Sequence, residues 1–149
     1  MEKTDKSYKY YKLPIDFEKL TEREELPKCN LKESIAQYIH LIATSYLGEC
    51  RFDVDFGCSI WEYDFDNSMT EITLRDNLIA SLSQAISNNE KRLNNVEVSV
   101  RISQMEMVSA LQALRIKKKV DIDVSAKLIK TNETFKYYEF FFLGPLSYY

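Results

Sequence analysis

Glycine, proline and cysteine are scarce in this 149-residue chain, three of each, and there is a single histidine. With so few turn formers the chain cannot make many tight turns and is expected to use few, long elements. Cys29, Cys50 and Cys58 form no C-x-x-C pair, and an odd number does not describe a disulfide framework, so free thiols are expected. One histidine and scattered cysteines supply no set of about three protein ligands for a catalytic zinc, and no metal or cofactor is expected. Neither a G-x-x-x-x-G-K-[ST] nor a G-x-G-x-x-G run is present, which leaves nucleotide binding without a motif. A basic excess is missing too: 20 Lys and Arg stand against 23 Asp and Glu, a net charge of −3. That balance removes the global field on which non-specific nucleic-acid binding depends. The first residues lack the apolar core of a signal peptide, and no stretch approaches the roughly 20 apolar residues that span a bilayer. The densest apolar run, Phe140 to Leu143, is strand-sized, and a soluble intracellular protein is expected.

What is present is a core-forming composition, 45% hydrophobic with ten Tyr and eight Phe. Residues 1–30 read as a flexible or partly docked arm, rich in charge and weak in periodicity, and residues 31–149 as a single domain. Asn30 can cap a helix, with Glu33 reaching back to the cap's own N–H. Leu31, Ile35, Tyr38, Ile39, Ile42 and Tyr46 then fall on one stripe, and Gly48 is the expected stop. From Arg51 to Phe65, alternating Phe52, Val54 and Phe56 suggest short extended pieces hinged at Gly57. A second helix is expected from about Glu71 to Asn88, with Leu74, Leu78, Leu82, Ala85 and Ile86 on its apolar face. Val96 to Ile102 alternate as a half-buried strand. The even positions from Leu114 to Leu128, Lys118 excepted, are apolar over a longer one. After a turn at Lys130 to Glu133, Phe135 to Leu143 return as an aromatic strand. The predicted class is α+β: two amphipathic helices packed on a small, mainly antiparallel sheet, with three strands in the C-terminal half.

Each candidate site carries a plain structural alternative. His40 lies across the first helix from its apolar stripe and reads as a solvated surface histidine. Lys117 and Lys119 read as part of a solvated sheet face, and Lys118, in the apolar register, as an edge lysine that discourages strand pairing. Asp53 with Asp55, and Asp121 with Asp123, are same-face pairs, whereas glycosidase chemistry needs two carboxyls facing each other across a sugar. Glu62, Asp64 and Asp66 add to the acidic inventory without forming such a pair. The most informative stretch is Asn88-Asn-Glu-Lys-Arg-Leu93, where Glu90 and Arg92 can pair in the link between helix and strand. Taken alone, that is a surface ion pair worth about 0–1 kcal/mol.

Three pieces together resemble the baseplate wedge family of contractile injection machines, which includes TssE of type VI secretion and the phage wedge protein once called a tail lysozyme. Tyr46-Leu-Gly-Glu-Cys-Arg51 is similar to the end of the family's first helix. Asp55-Phe-Gly57 followed by Ile60 and Phe65 is similar to its Pro-x-(Phe/Tyr)-Gly-x-x-Leu segment. Ile86 to Leu93 is similar to its Ile-x-x-x-Glu-Pro-Arg-Leu hallmark, with Lys91 standing where the family has proline. The first 30 residues have no counterpart. The resemblance implies a non-enzymatic structural role, most readily in type VI secretion: a cytoplasmic adaptor, assembled at the inner membrane's cytoplasmic face, that joins the wedge to the first sheath ring by strand addition. It implies wedge proteins and sheath subunits as partners in a large hetero-oligomeric ring, without nucleic acid or membrane insertion. Glu90, Arg92, Leu93 and Gly57 are the partner-binding candidates. The alternatives are a phage-tail wedge protein and a lysozyme-type peptidoglycan hydrolase.

Overall fold

The computed structural model describes residues 9–63, 68–108 and 114–144. Phe65, Asp64 and Asp66 lie outside the described residues. Two helices cover one face of a three-stranded sheet, and a short strand pair with a one-turn helix precedes them.

The main helices start where the side chains can satisfy the orphan N–H groups. In α2 (Leu31–Thr44) the Asn30 carboxamide accepts from the Glu33 N–H, and the Glu33 carboxylate accepts from the Asn30 N–H, a complete capping box. In α3 (Glu71–Asn89) the Thr70 hydroxyl accepts from the Thr73 N–H. The end of α2 differs from the expectation. It stops at Thr44, before Gly48, because its last carbonyls are taken by other groups: Ala43 O accepts from the Cys58 thiol and from Trp61 Nε1 at 3.0 Å, and Ser45 leaves the helical conformation. Gly48 still adopts a left-handed conformation, φ +79°, but in the following loop.

The sheet is an antiparallel meander of β3 (Leu93–Val108), β4 (Leu114–Leu128) and β5 (Thr134–Leu143), in that spatial order. Alternation places Val120, Ile122, Val124, Ala126 and Leu128 of β4 under the helices, where each is at least nine-tenths buried. Ile35, Ile39 and Ile42 of α2, and Leu74, Leu78, Leu82 and Ile86 of α3, meet them in one core with Val100, Phe135 and Leu143. Burying each such side chain contributes about 1.5–3 kcal/mol, so the two apolar helix stripes hold the layers together. A register shift between Asn94 and Glu97 bulges β3 near its start.

Two further sequence expectations change. Arg51 to Tyr63 form no strand: the segment is a series of turns followed by a 3₁₀ turn (Ile60–Tyr63), with one isolated parallel bridge between Tyr46 and Cys58. The alternation misled because Asp53 turns the chain, its carboxylate accepting the Asp55 N–H, while Phe52 and Val54 face solvent. Lys118 lies in the central strand, opposite both Gln104 and Leu143, so it guards no edge. It occupies the apolar register at the point where β5 ends.

The N-terminal residues contain more structure than periodicity showed. β1 (Tyr10–Tyr11) pairs with β2 (Lys28–Cys29), and between them α1 (Phe17–Thr21) is capped by Asp16. Cys29 is buried, and the Leu13 N–H donates to Gln37 Oε1 on α2 at 2.8 Å.

Candidate functional site: the turn from α3 to β3

The link from α3 to β3 is three residues long and fully committed to bonding. Glu90 caps the helix, its N–H donating to Ile86 O at 2.8 Å. Its carboxylate is 2% exposed and accepts from Arg92 three times: from the backbone N–H at 3.0 Å, from Nε at 2.7 Å and from Nη2 at 2.5 Å. This is the fork-to-carboxylate geometry that only arginine can make, and it holds the guanidinium above its already high ordinary pKa. Nη1 of the guanidinium donates to Ser34 Oγ in the first turn of α2, at 2.9 Å. Its central carbon lies over the Tyr10 ring of β1, 5.4 Å from the centroid. Arg92 O accepts from the Ile129 N–H at 3.0 Å, and Leu93 opens β3 opposite Leu128, buried. Lys91 is exposed, with its ammonium 3.3 Å from Ser87 O. The surface ion pair expected from the sequence is therefore a clamp on α2, α3 and the N-terminal strand, with its carboxylate buried and its guanidinium partly so.

Gly57 lies elsewhere, at the C-terminal end of α2. It is buried with φ +113°, and a Cβ there would stand 2.6 Å from Ser45 O and 2.9 Å from Tyr46 O. Backbone packs directly on backbone, which seats the Cys58 N–H on Ser45 O at 3.1 Å. Burial pushes the Cys58 thiol up to about 11. Thus the structure brings Glu90, Arg92 and Leu93 together and keeps Gly57 apart, packed on the backbone that follows α2.

His40 is not merely solvated. Its Nδ1 is 2.6 Å from Glu139 Oε1 on β5, and the Tyr137 hydroxyl donates to the other oxygen of the same carboxylate. Burial, then the Glu139 carboxylate, raises the Tyr137 phenol above its ordinary range. On the uncovered sheet face, Lys119 pairs with Asp121 at 2.8 Å and sits over the Phe140 ring, and Tyr138 OH donates to Asp121 at 2.5 Å. The Lys119 contact and the Tyr138 bond hold the Asp121 carboxyl below its ordinary range, the opposite of what a general acid requires. Ser34, Tyr10 and Glu139 were not among the residues singled out from the sequence. Their partners lie far along the chain, 58 residues away for Ser34 and 99 for Glu139, and no local spacing signals them.

These features define a class: a helix-covered antiparallel sheet whose helix-to-strand turn is locked by a buried Glu–Arg fork. The family profile of baseplate wedge protein gp25 matches residues 29–133, and the chain belongs to that family. Among solved structures, the chain is similar in fold to a Geobacter sulfurreducens protein described provisionally as a tail lysozyme, with a TM-score of 0.54 and 22% identity. The likeness covers 80% of this chain and 96% of the other. No curated protein matches the sequence. Among the described residues, no helix is long and apolar enough to cross a membrane.

Proposed function

We propose that the protein is a non-enzymatic structural part of a contractile injection baseplate, of the type VI secretion kind, that joins the wedge to the first sheath ring by strand addition. Residues 31–149 act as the wedge domain and residues 1–30 as an arm appended to it. The observation that carries the reading is the open meander: among the described residues, β3 and β5 each pair only with β4, so both outer strands present an unpaired edge. Main-chain bonds along such an edge supply affinity without requiring a particular partner sequence. The Glu90–Arg92 fork and Leu93 fix where β3 begins, and Gly57 fixes the loop after α2. Their part in partner binding is to hold those surfaces in place.

The test is a tagged chain, gently cross-linked in its native host. Sheath and wedge proteins should co-purify, and amide hydrogen exchange in β3 or β5 should slow once sheath subunits are bound. Recovery of baseplate proteins without sheath, or unchanged exchange along both edges, would remove the adaptor role.

A hydrolase is the second reading, favoured by the description of the Geobacter neighbour. Against it, Glu90 is enclosed by Arg92, and Asp121 is held ionised by Lys119 and Tyr138. Purified protein should leave peptidoglycan suspensions turbid; clearing that disappears in Glu90→Gln would restore an enzymatic role.

A further inference from the structure

The loop after α2 is held in one shape by its own bonds. Gly48 N–H donates to Val54 O at 2.9 Å and closes it. Within it, the Tyr46 N–H bonds the Glu49 carboxylate at 3.0 Å and the Asp53 N–H bonds Cys50 O at 3.3 Å. Its base is seated by Gly57 against Ser45 and Tyr46. On this fixed support Phe52 is 100% exposed and Val54 62% exposed, so neither adds appreciable burial to the core. A large apolar side chain that is rigidly presented and uncovered is surface that association would remove from water. Glu49, Asp53 and Asp55, all exposed, share the loop with it, against a single cation there, Arg51.

We propose that this loop is a docking knob for a protein partner carrying an apolar pocket rimmed by lysine and arginine. Phe52 enters the pocket, and Glu49, Asp53 and Asp55 face the rim. The charge of the loop selects this occupant: anionic lipid surfaces and nucleic-acid phosphates carry the same sign and are repelled. The knob belongs to a loop and to neither outer strand, and its role does not depend on sheath binding.

The experiment places a photo-crosslinking phenylalanine analogue at position 52 of the full chain in its native host and identifies the cross-linked peptide by mass spectrometry. The expected product is one partner protein, joined at an apolar site flanked by Lys or Arg. Phe52→Ala should then weaken the purified pair about 30-fold with no change in melting temperature, because Phe52 is uncovered in the free protein. Asp53→Lys with Asp55→Lys should lower the association rate at low salt, and exchanging rim cations for Glu should restore it. Absence of a cross-link, a cross-link to lipid, to nucleic acid or to a second copy of this chain, or a cross-linked pair indifferent to Phe52→Ala would overturn the proposal. A partner outside any baseplate would support the knob while counting against the baseplate role. Co-purifying sheath without a position-52 cross-link would do the reverse.

Discussion

Replacing Gly57 by alanine tests the account of the loop after α2 most directly. The added Cβ would meet Ser45 O at 2.6 Å and Tyr46 O at 2.9 Å, both backbone atoms that no side-chain rotation can clear. The backbone φ of +113° is itself one that L-residues rarely adopt, a strain of about 1–3 kcal/mol. Forcing the two backbone segments apart adds overpacking of about 1–3 kcal/mol, and the segment must yield at the bond from the Cys58 N–H to Ser45 O. The sum, about 2–6 kcal/mol, is a large share of the 5–15 kcal/mol by which domains are usually stable. At roughly 2–4 °C per kcal/mol for a chain of this size, the melting temperature should fall by about 4–24 °C. Far-ultraviolet circular dichroism during heating reads the loss. Fluorescence of the single tryptophan, Trp61, reports the same site, because its indole donates to Ala43 O beside the contact. Gly48→Ala is the control: φ there is +79° but nothing lies within 4 Å of the new Cβ, so only backbone strain of about 1–2 kcal/mol is expected. If Gly57→Ala melts within a degree of the parent, or no lower than Gly48→Ala, the close approach does not constrain the loop and the reasoning fails.

Arg92→Ala should destabilise by roughly 3 kcal/mol in urea titrations, because it leaves the Glu90 carboxylate buried without its partner; Arg92→Lys should recover only part, since an ammonium cannot span both oxygens and Ser34. Equal stability of all three proteins would show that the fork is dispensable. Cys58 gives a pH dependence. Its thiol is raised from an ordinary 9.0 to about 11, so the unfolded chain loses this proton first and stability should fall as pH rises from about 9 to 11, by at most about 2–3 kcal/mol. Cys58→Ser, compared with the parent over that range, should flatten the slope. A thiol reagent at pH 8 should label partly exposed Cys50 quickly and buried Cys29 and Cys58 only on unfolding; rapid loss of all three thiols would contradict their burial.

The elements best read from sequence are those whose pattern is local. The cap at Asn30, the apolar stripes of α2 and α3, and the even-numbered face of β4 from Val120 to Leu128 each follow from periodicity within one segment, and the folded chain places them accordingly; Ile116, further up the same face, is 59% exposed. The errors arise where a local pattern has two physical meanings. Phe52-Asp-Val-Asp-Phe56 alternates like a strand, yet its carboxylates are turn formers, and only Phe56 packs, against Tyr38. Lys118 has the register of an edge guard but belongs to the middle strand, because sheet order is a non-local property. The pairing of Glu90 with Arg92 was legible from their two-residue spacing. Its burial was not, because the groups that complete it come from α2 and from the N-terminal strand.

That burial changes how a loss of assembly on mutating the fork should be interpreted. Both Glu90 oxygens are occupied, the guanidinium is divided between Glu90 and Ser34, and the Tyr10 ring lies against it. A partner could address Glu90 only after breaking the charge-assisted bonds that Arg92 makes to it, each stronger than an ordinary hydrogen bond. Any effect of the fork on assembly would therefore run through the geometry it maintains: the start of β3, the first turn of α2 and the docked N-terminal strand. Across Arg92 and Glu90 variants, partner binding should decline in step with stability. Across Phe52 variants, whose side chain supports nothing in the free protein, binding should decline while stability stays constant. Plotting the two losses against each other separates residues that build the surface from residues that form it.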